Sequence, residues 1–161
     1  MVTTCRDNIS CLPRSPVYTF YMRLNINSTR LRGVVTRYKG NGRKLGYPTA
    51  NFKSSTTIID GVYFGFATMA EYADHPALIF IGTPTTIGDK DRRVEAHLLD
   101  IVDRDYYNLD LILDVQKPHR ANKTFDSVEQ LVDAIKSDEL AARKWFSSNK
   151  LASENSLADT K

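Results

Sequence analysis

The stretch Gly40 to Phe52 reads G-N-G-R-K-L-G-Y-P-T-A-N-F and holds residue types that suit phosphate chemistry. Gly40, Gly42 and Gly46 let backbone N–H groups converge on one concavity, an arrangement that cradles a phosphate. Arg43 and Lys44 place positive charge at its rim. Pro48 fixes its own φ and restricts Tyr47, so the chain leaves the loop extended. Side chains alternate along an extended chain, which puts Thr49 and Asn51 on one face. A hydroxyl and an amide oxygen side by side are hard-oxygen ligands for a magnesium ion that also holds phosphate. The same composition also describes a solvated hairpin turn. Neither standard nucleotide fingerprint is present: there is no G-x-x-x-x-G-K-S/T, and the glycines at 40, 42 and 46 miss G-x-G-x-x-G by one residue.

A second candidate lies in V-E-A-H-L. Glu95 and His97 alternate with Val94, Ala96 and Leu98, so the two polar side chains share one face of a strand. A carboxylate in or at the mouth of a barrel is costly unless paired, which marks Glu95 for function. The competing reading has it facing solvent or pairing with Arg93 or Lys90. His97 reads as a hydrogen-bonded structural residue. His75, His97 and His119 lack metal-ligand spacing and the only cysteines, Cys5 and Cys11, stand near the N-terminus, so a zinc centre is not indicated. No Ser-His-Asp or Cys-His nucleophile pattern is present.

The elements that must position these residues read as strands up to about residue 120. The expected runs are Leu31 to Tyr38, Thr49 to Lys53, Val62 to Tyr72, Ala77 to Gly82, Arg93 to Asp100 and Leu109 to Val115. His75-Pro76 marks a turn before the fourth, and Thr83 to Arg92 reads as a loop. Six short strands without intervening helices favour an antiparallel barrel or sandwich. A helix follows, with Asp126 and Glu129 as a capping box and Val128, Leu131, Val132 and Ile135 as its apolar stripe. Ser137 is placed to cap a second helical piece carrying Leu140, Ala141, Trp145 and Phe146.

With 161 residues, 42% apolar and 25% charged, the chain suits one globular domain rather than a disordered one. No apolar run approaches the ~20 residues of a membrane span. Up to Gly46 the only acid is Asp7, against nine Lys and Arg residues, which favours an anionic ligand. Residues 1–20 are basic, contain serine and are poor in acids; they leave an organelle-targeting leader open beside a cytoplasmic location.

In these residues the chain resembles the riboflavin kinases, whose loop ends in L-G-F/Y-P-T-A-N. The likeness continues through Gly61-Val62-Tyr63, Ile81-Gly82, Val94 to Asp100, Asp105-Tyr106-Tyr107, Arg120 and Phe125-Asp126-Ser127, covering about residues 31 to 146. It implies a mainly β protein: a six-stranded antiparallel Greek-key barrel with a C-terminal helix packed against it. Residues 1–30 are then a partly ordered leader, 31–146 the barrel and helix, and 147–161 a flexible tail.

The implied activity is transfer of the γ-phosphate of ATP to the ribityl 5′-hydroxyl of riboflavin, giving FMN and ADP. The resemblance assigns Glu95 as the base. Gly40, Gly42, Arg43, Lys44, Gly46, Pro48, Thr49 and Asn51 would bind nucleotide. Thr49 and Asn51 would hold Mg²⁺, or Mn²⁺ or Zn²⁺ in its place. Arg120 and Phe125 would meet the flavin. The expected form is a monofunctional monomer that stops at FMN, with neither a membrane nor a nucleic-acid partner. Two departures stand out: Asn122 replaces the glutamate of R-x-E-x-x-F, and Asn108 replaces a glycine. Two alternatives come from other classes: a catalytically weak flavin- or nucleotide-binding regulator, and a basic β-barrel that binds single-stranded nucleic acid.

Overall fold

The computed structural model describes residues 29–158, with side chains as far as residue 149. Its strands are β1 (Thr29–Val34), β2 (Ala50–Phe52), β3 (Gly61–Met69), β4 (Tyr72–Gly82), β5 (Arg93–Leu98) and β6 (Asp110–Ala121). A one-turn helix α1 (Asn41–Lys44) and a 3₁₀ turn (Thr85–Ile87) interrupt the loops, and α2 (Val128–Ala158) follows the sheet. Every pairing is antiparallel, in the order β1-β6-β3-β4-β5-β2. Strands β3, β4 and β5 form consecutive neighbours, and β6 returns beside β3, which is a Greek key.

The sheet curls so that its two ends meet. Thr36 N–H, just past β1, donates to the Asn51 carbonyl of β2 at 2.8 Å. Gly33 permits this approach, since a Cβ there would lie 2.3 Å from the Phe52 ring. Phe52, Ile79, Ile81, Val94, Leu111 and Leu113 fill the concave interior. Val62, Phe64, Phe66 and Leu78 occupy the opposite face, and α2 covers them with Ala142 and Phe146. Strand β3 is therefore buried along almost all of its length, as apolar residues at both alternating sets require.

Several boundaries differ from the sequence reading. The β3–β4 reversal falls at Ala70, which is left-handed at φ 51°, and β4 runs straight through His75-Pro76. Pro76 is tolerated because the β4–β5 ladder begins only at Ala77↔Leu98, while its carbonyl still accepts the Leu99 N–H at 3.0 Å. Strand β6 continues past Val115 to Ala121 with register shifts against β3, and Leu109 lies outside it, exposed. Strand β1 stops at Val34 but takes in Thr29 and Arg30, which were assigned to the leader. Arg30 forks onto the buried Asp114 at 2.7 and 2.9 Å.

The helix is also rearranged relative to expectation. Ser127, not Asp126, caps it: Ser127 Oγ accepts the Gln130 N–H at 3.3 Å, and Gln130 Oε1 accepts the Asp126 N–H at 3.3 Å. The cap thus falls one residue later than read, and the return bond from Gln130 reaches the N–H of the residue before the cap rather than that of Ser127. Ser137 does not break α2, which also continues through residues 147–158 where a tail was expected. The cysteines and the candidate targeting leader at 1–20 lie outside the described residues. Among the described residues, no helix is long and apolar enough to cross a membrane.

Phe146 meets Phe66 edge-on at 5.4 Å between ring centroids and is nearly fully buried. Phe146→Ala is expected to lower unfolding free energy by about 3–5 kcal/mol, as for other buried aromatic truncations. Urea unfolding followed by circular dichroism measures this; an unchanged midpoint would show that the barrel does not lean on α2.

Candidate functional site

Strand register builds the site. Asn51 of β2 stands opposite Glu95 of β5, Glu95 opposite Phe80 of β4, Phe80 opposite Val62 of β3, and Val62 opposite Arg120 of β6. Directly paired residues project from the same face. These five therefore form a row across the sheet on the face away from the interior core, while their neighbours Ala50, Ala96, Ile79 and Ile81 turn inward.

Two clefts open along this row. One, of about 800 Å³, lies between the glycine loop and the 101–107 segment, with Tyr38, Gly40, Asn51, Arg93 and Tyr107 in its walls. The other, of about 850 Å³, lies between the sheet and the start of α2, with Phe80, His97, Arg120, Phe125, Leu131 and Ile135. Gly42, Thr49, Ile87 and Glu95 line both. The clefts meet at a carboxylate and a hydroxyl.

Glu95 is 17% exposed, and Arg93 Nε donates to its Oε1 at 2.7 Å. The reading that paired Glu95 with Arg93 is thus correct for the contact, yet the pair is buried at the cleft junction rather than solvated. Burial pushes the Glu95 carboxyl above the usual range, against the opposing pull of Arg93 and of a hydrogen bond from the Thr49 hydroxyl. The Asn51 amide oxygen is buried and has no partner. Buried acceptors are nearly always satisfied, so an orphan beside Thr49 fits a hard cation or its water shell. Among the described residues, no group of three or more His, Cys, Asp or Glu side chains could hold a metal, so amide, hydroxyl and ligand oxygens would have to do so.

The glycine loop is tighter than a simple cradle. Gly40 and Gly46 are left-handed at φ 66° and 84°, and α1 winds between them. Gly42 accepts the Tyr47 N–H at 2.8 Å, and a Cβ on Gly42 would lie 2.5 Å from the Tyr47 carbonyl and 3.1 Å from Thr49 Oγ1. His97 Nδ1–H donates to the Pro48 carbonyl at 2.9 Å and fixes the loop exit, the structural role expected of it. Arg43 does not offer a free charge at the rim. It donates to Asp103 at 3.0 Å, to Asp105 at 2.8 Å and to the Arg104 carbonyl at 2.9 Å, tying the loop to the facing wall. Pro48 lines the first cleft with Thr49 and Asn51, whereas Lys44 and Gly46 line neither.

On the other side Arg120 and Phe125 do come together, with the guanidinium 5.8 Å from the ring. Arg120 is held by Asp138 of α2, Nη2 to Oδ2 at 2.6 Å, and His119 Nε2–H donates to the same carboxylate at 3.0 Å. Asp138 is buried although it reads in sequence as an ordinary solvated helix charge. Asp89 was likewise invisible; it binds Arg93 from a segment that reads only as a polar loop.

A family model described as "Flavokinase: Riboflavin kinase" matches residues 10–146. The chain is 32% identical to riboflavin kinase of Homo sapiens over 120 residues, 70% of this chain and 77% of that protein. It is 29% identical over 118 residues to the "Trifunctional protein RibF/MnmA" of Mycoplasmoides gallisepticum, spanning 72% of this chain and only 18% of that protein. Among solved structures it is similar to riboflavin kinase from Trypanosoma brucei, with a TM-score of 0.57 at 24% identity, covering 84% of this chain and 92% of that one.

The contrast between two glycines tests the loop. Gly42→Ala drives a methyl into the Tyr47 carbonyl and displaces Thr49, an overpacking cost of about 1–3 kcal/mol. Gly46→Ala meets no neighbour and adds only left-handed strain, about 1–2 kcal/mol. The first variant is expected to weaken ADP affinity measured by calorimetry with Mg²⁺, and the second to leave it near the parent value. Equal affinity in Gly42→Ala and parent would remove Gly42 from the site.

Proposed function

The chain belongs to the riboflavin kinase family, and we propose on that premise that it transfers the γ-phosphate of ATP to the ribityl 5′-hydroxyl of riboflavin, forming FMN and ADP. The observation that carries this reading is the position of Glu95 in the walls of both clefts. A two-substrate phosphoryl transfer needs each substrate in its own site and one proton acceptor where the sites touch.

The cleft bounded by Gly40, Gly42 and Tyr107 takes the nucleotide, and the apolar cleft against α2 takes the isoalloxazine ring, with Phe125 and Ile135 as apolar contacts. The ribityl chain then runs toward Thr49 and Glu95. A primary alcohol is a poor nucleophile at neutral pH. Glu95 accepts its proton while the bond from O5′ to the γ-phosphorus forms and the bond to the ADP oxygen breaks. The low-dielectric setting that burial creates raises the proton affinity of Glu95, and Arg93 pulls in the opposite direction, toward the ionised form.

Thr49 Oγ1 and Asn51 Oδ1 are the residues that would hold a divalent cation. Asn51 Oδ1 has no other partner, and Thr49 donates its proton to Glu95 and keeps lone pairs for a ligand. An all-oxygen set suits Mg²⁺ better than Zn²⁺, and such an ion supplies charge stabilisation to the phosphate oxygens.

Incubation with riboflavin, ATP and Mg²⁺, followed by chromatography for FMN, tests the activity. Flavin binding without FMN formation would leave a binding protein. Glu95→Gln is expected to lower turnover by about 10² to 10⁴-fold with little change in riboflavin or ADP affinity; turnover within about threefold of the parent, some 0.65 kcal/mol in barrier, removes it from the mechanism. Asn51→Leu retains volume and removes the oxygen, and should raise the Mg²⁺ concentration needed for half-maximal rate. An unchanged Mg²⁺ requirement would sink the ligand assignment.

A further inference from the structure

Four charged side chains run without a gap from the glycine loop to the cleft junction. Lys39 Nζ donates to Asp89 Oδ1 at 2.8 Å, Arg93 Nη2 donates to Asp89 Oδ2 at 2.7 Å, and Arg93 Nε donates to Glu95 Oε1 at 2.7 Å. Side-chain exposure falls from 64% at Lys39 to 5% at Arg93. The Arg93 guanidinium also lies over the Tyr38 ring, 4.5 Å from its centroid. Tyr38 and Lys39 immediately precede Gly40. The stem of the glycine loop therefore meets Arg93 in two ways, by a ring directly and by an ion through Asp89.

Stability alone is a weak reason for this arrangement, because apolar residues of similar volume commonly stabilise a fold as well as a buried ion pair. What a guanidinium adds is direction. Arg93 and Glu95 are two residues apart on β5 and share a face. The planar fork binds two carboxylates at fixed angles, whereas a lysine point charge can pair with Glu95 but not fix both directions. With Oε1 held, the Glu95 carboxylate cannot rotate freely within the junction.

We propose that Arg93 is a positioning residue, holding Glu95 in the orientation that accepts the substrate proton and linking that orientation, through Asp89 and Lys39, to the seating of the glycine loop. The inference rests on the role of Glu95 as base given above. Arg93 acts only through Glu95, so its effect vanishes when the carboxylate is gone.

The test is a cycle on the full chain: parent, Arg93→Met, Glu95→Gln and the double variant, with Arg93→Lys beside them. The kcat and both KM values are read from FMN formation, and thermal melting is read for each protein. Arg93→Met is expected to lower kcat about 10- to 100-fold, the scale of a misplaced catalytic group, with both KM values within about threefold of the parent. Arg93→Lys should recover part of the loss. In the Glu95→Gln background Arg93→Met should produce no further loss, since groups acting as one unit are not additive.

Parent-like kcat in Arg93→Met overturns the proposal. So does an equal loss in both backgrounds, which would mean that Arg93 acts apart from Glu95. A lysine variant no better than methionine, with melting lowered equally, assigns a structural role instead and also overturns it. Should Arg93→Met lack a cooperative melt, Asp89→Asn carries the same cycle, because it keeps shape and removes the second anchor of Arg93. Parent-like turnover in Glu95→Gln is a different failure, that of the base itself.

Discussion

A carboxylate taken out of water has to find a cation, and for Glu95 that cation is Arg93. Much of the local structure follows from that pairing. A buried guanidinium has donors to satisfy as well, so Asp89 is drawn in from the loop before β5, and Lys39 from the loop after β1. The Tyr38 ring covers the remaining face. One costly group thus orders two loops that share no strand pairing, and both border the cleft assigned to nucleotide. The arrangement is electrostatic, but its reach depends on burial. Surface pairs of the same kind are worth little, whereas the Asp89–Arg93 and Arg93–Glu95 pairs are shielded from solvent.

The sheet supplies what the ion pair cannot, which is placement. Glu95 faces the clefts because Ala96 and Val94 are committed to the interior core. A slip of one residue in β5 would bury the carboxylate in the barrel and expose both apolar side chains, so the core enforces the orientation of the site. The same register sets Asn51 beside Glu95 and carries the row across to Arg120. Helix α2 has a double duty. Its middle buries Phe146 against β3, while its start, with Leu131, Ile135 and Asp138, makes the wall of the second cleft. Asp138 pins both His119 and Arg120, so the wall is tied to the sheet at that point.

The G-x-G-x-x-x-G run and P-T-A-N mark the loop and its two candidate oxygen donors because those positions need small or rigid residues whatever surrounds them. Gly42 illustrates this, since it touches the Tyr47 carbonyl through short-range geometry alone. Arg43 illustrates the opposite. Its neighbours in sequence point to a phosphate rim, but its partners Asp103 and Asp105 lie about sixty positions away, and only folding reveals that its charge is already neutralised. Lys44, at the end of α1, and Gly46, just beyond it, read as part of the same loop but line neither cleft. The sequence misplaced the β3–β4 turn for a related reason. His75-Pro76 looks like a break, but Pro76 pairs with Phe66 in the β3–β4 ladder and stands just outside the β4–β5 register, where no N–H is needed.

By itself, then, the amino-acid sequence determined the mainly β class, six strands and a helix, the glycine loop, and Thr49, Asn51 and Glu95 as the chemical candidates. Each of these follows from local properties: alternation, backbone freedom, or a carboxylate on a half-apolar strand. Only the tertiary structure decided that Glu95 lies between two clefts, that Arg93 rather than Lys90 binds it, and that Asp89 and Asp138 are buried anchors. Those outcomes depend on strand register and on loops brought together from distant positions. Whether a charge is solvated or buried is set by what packs over it, and no window of neighbouring residues contains that information.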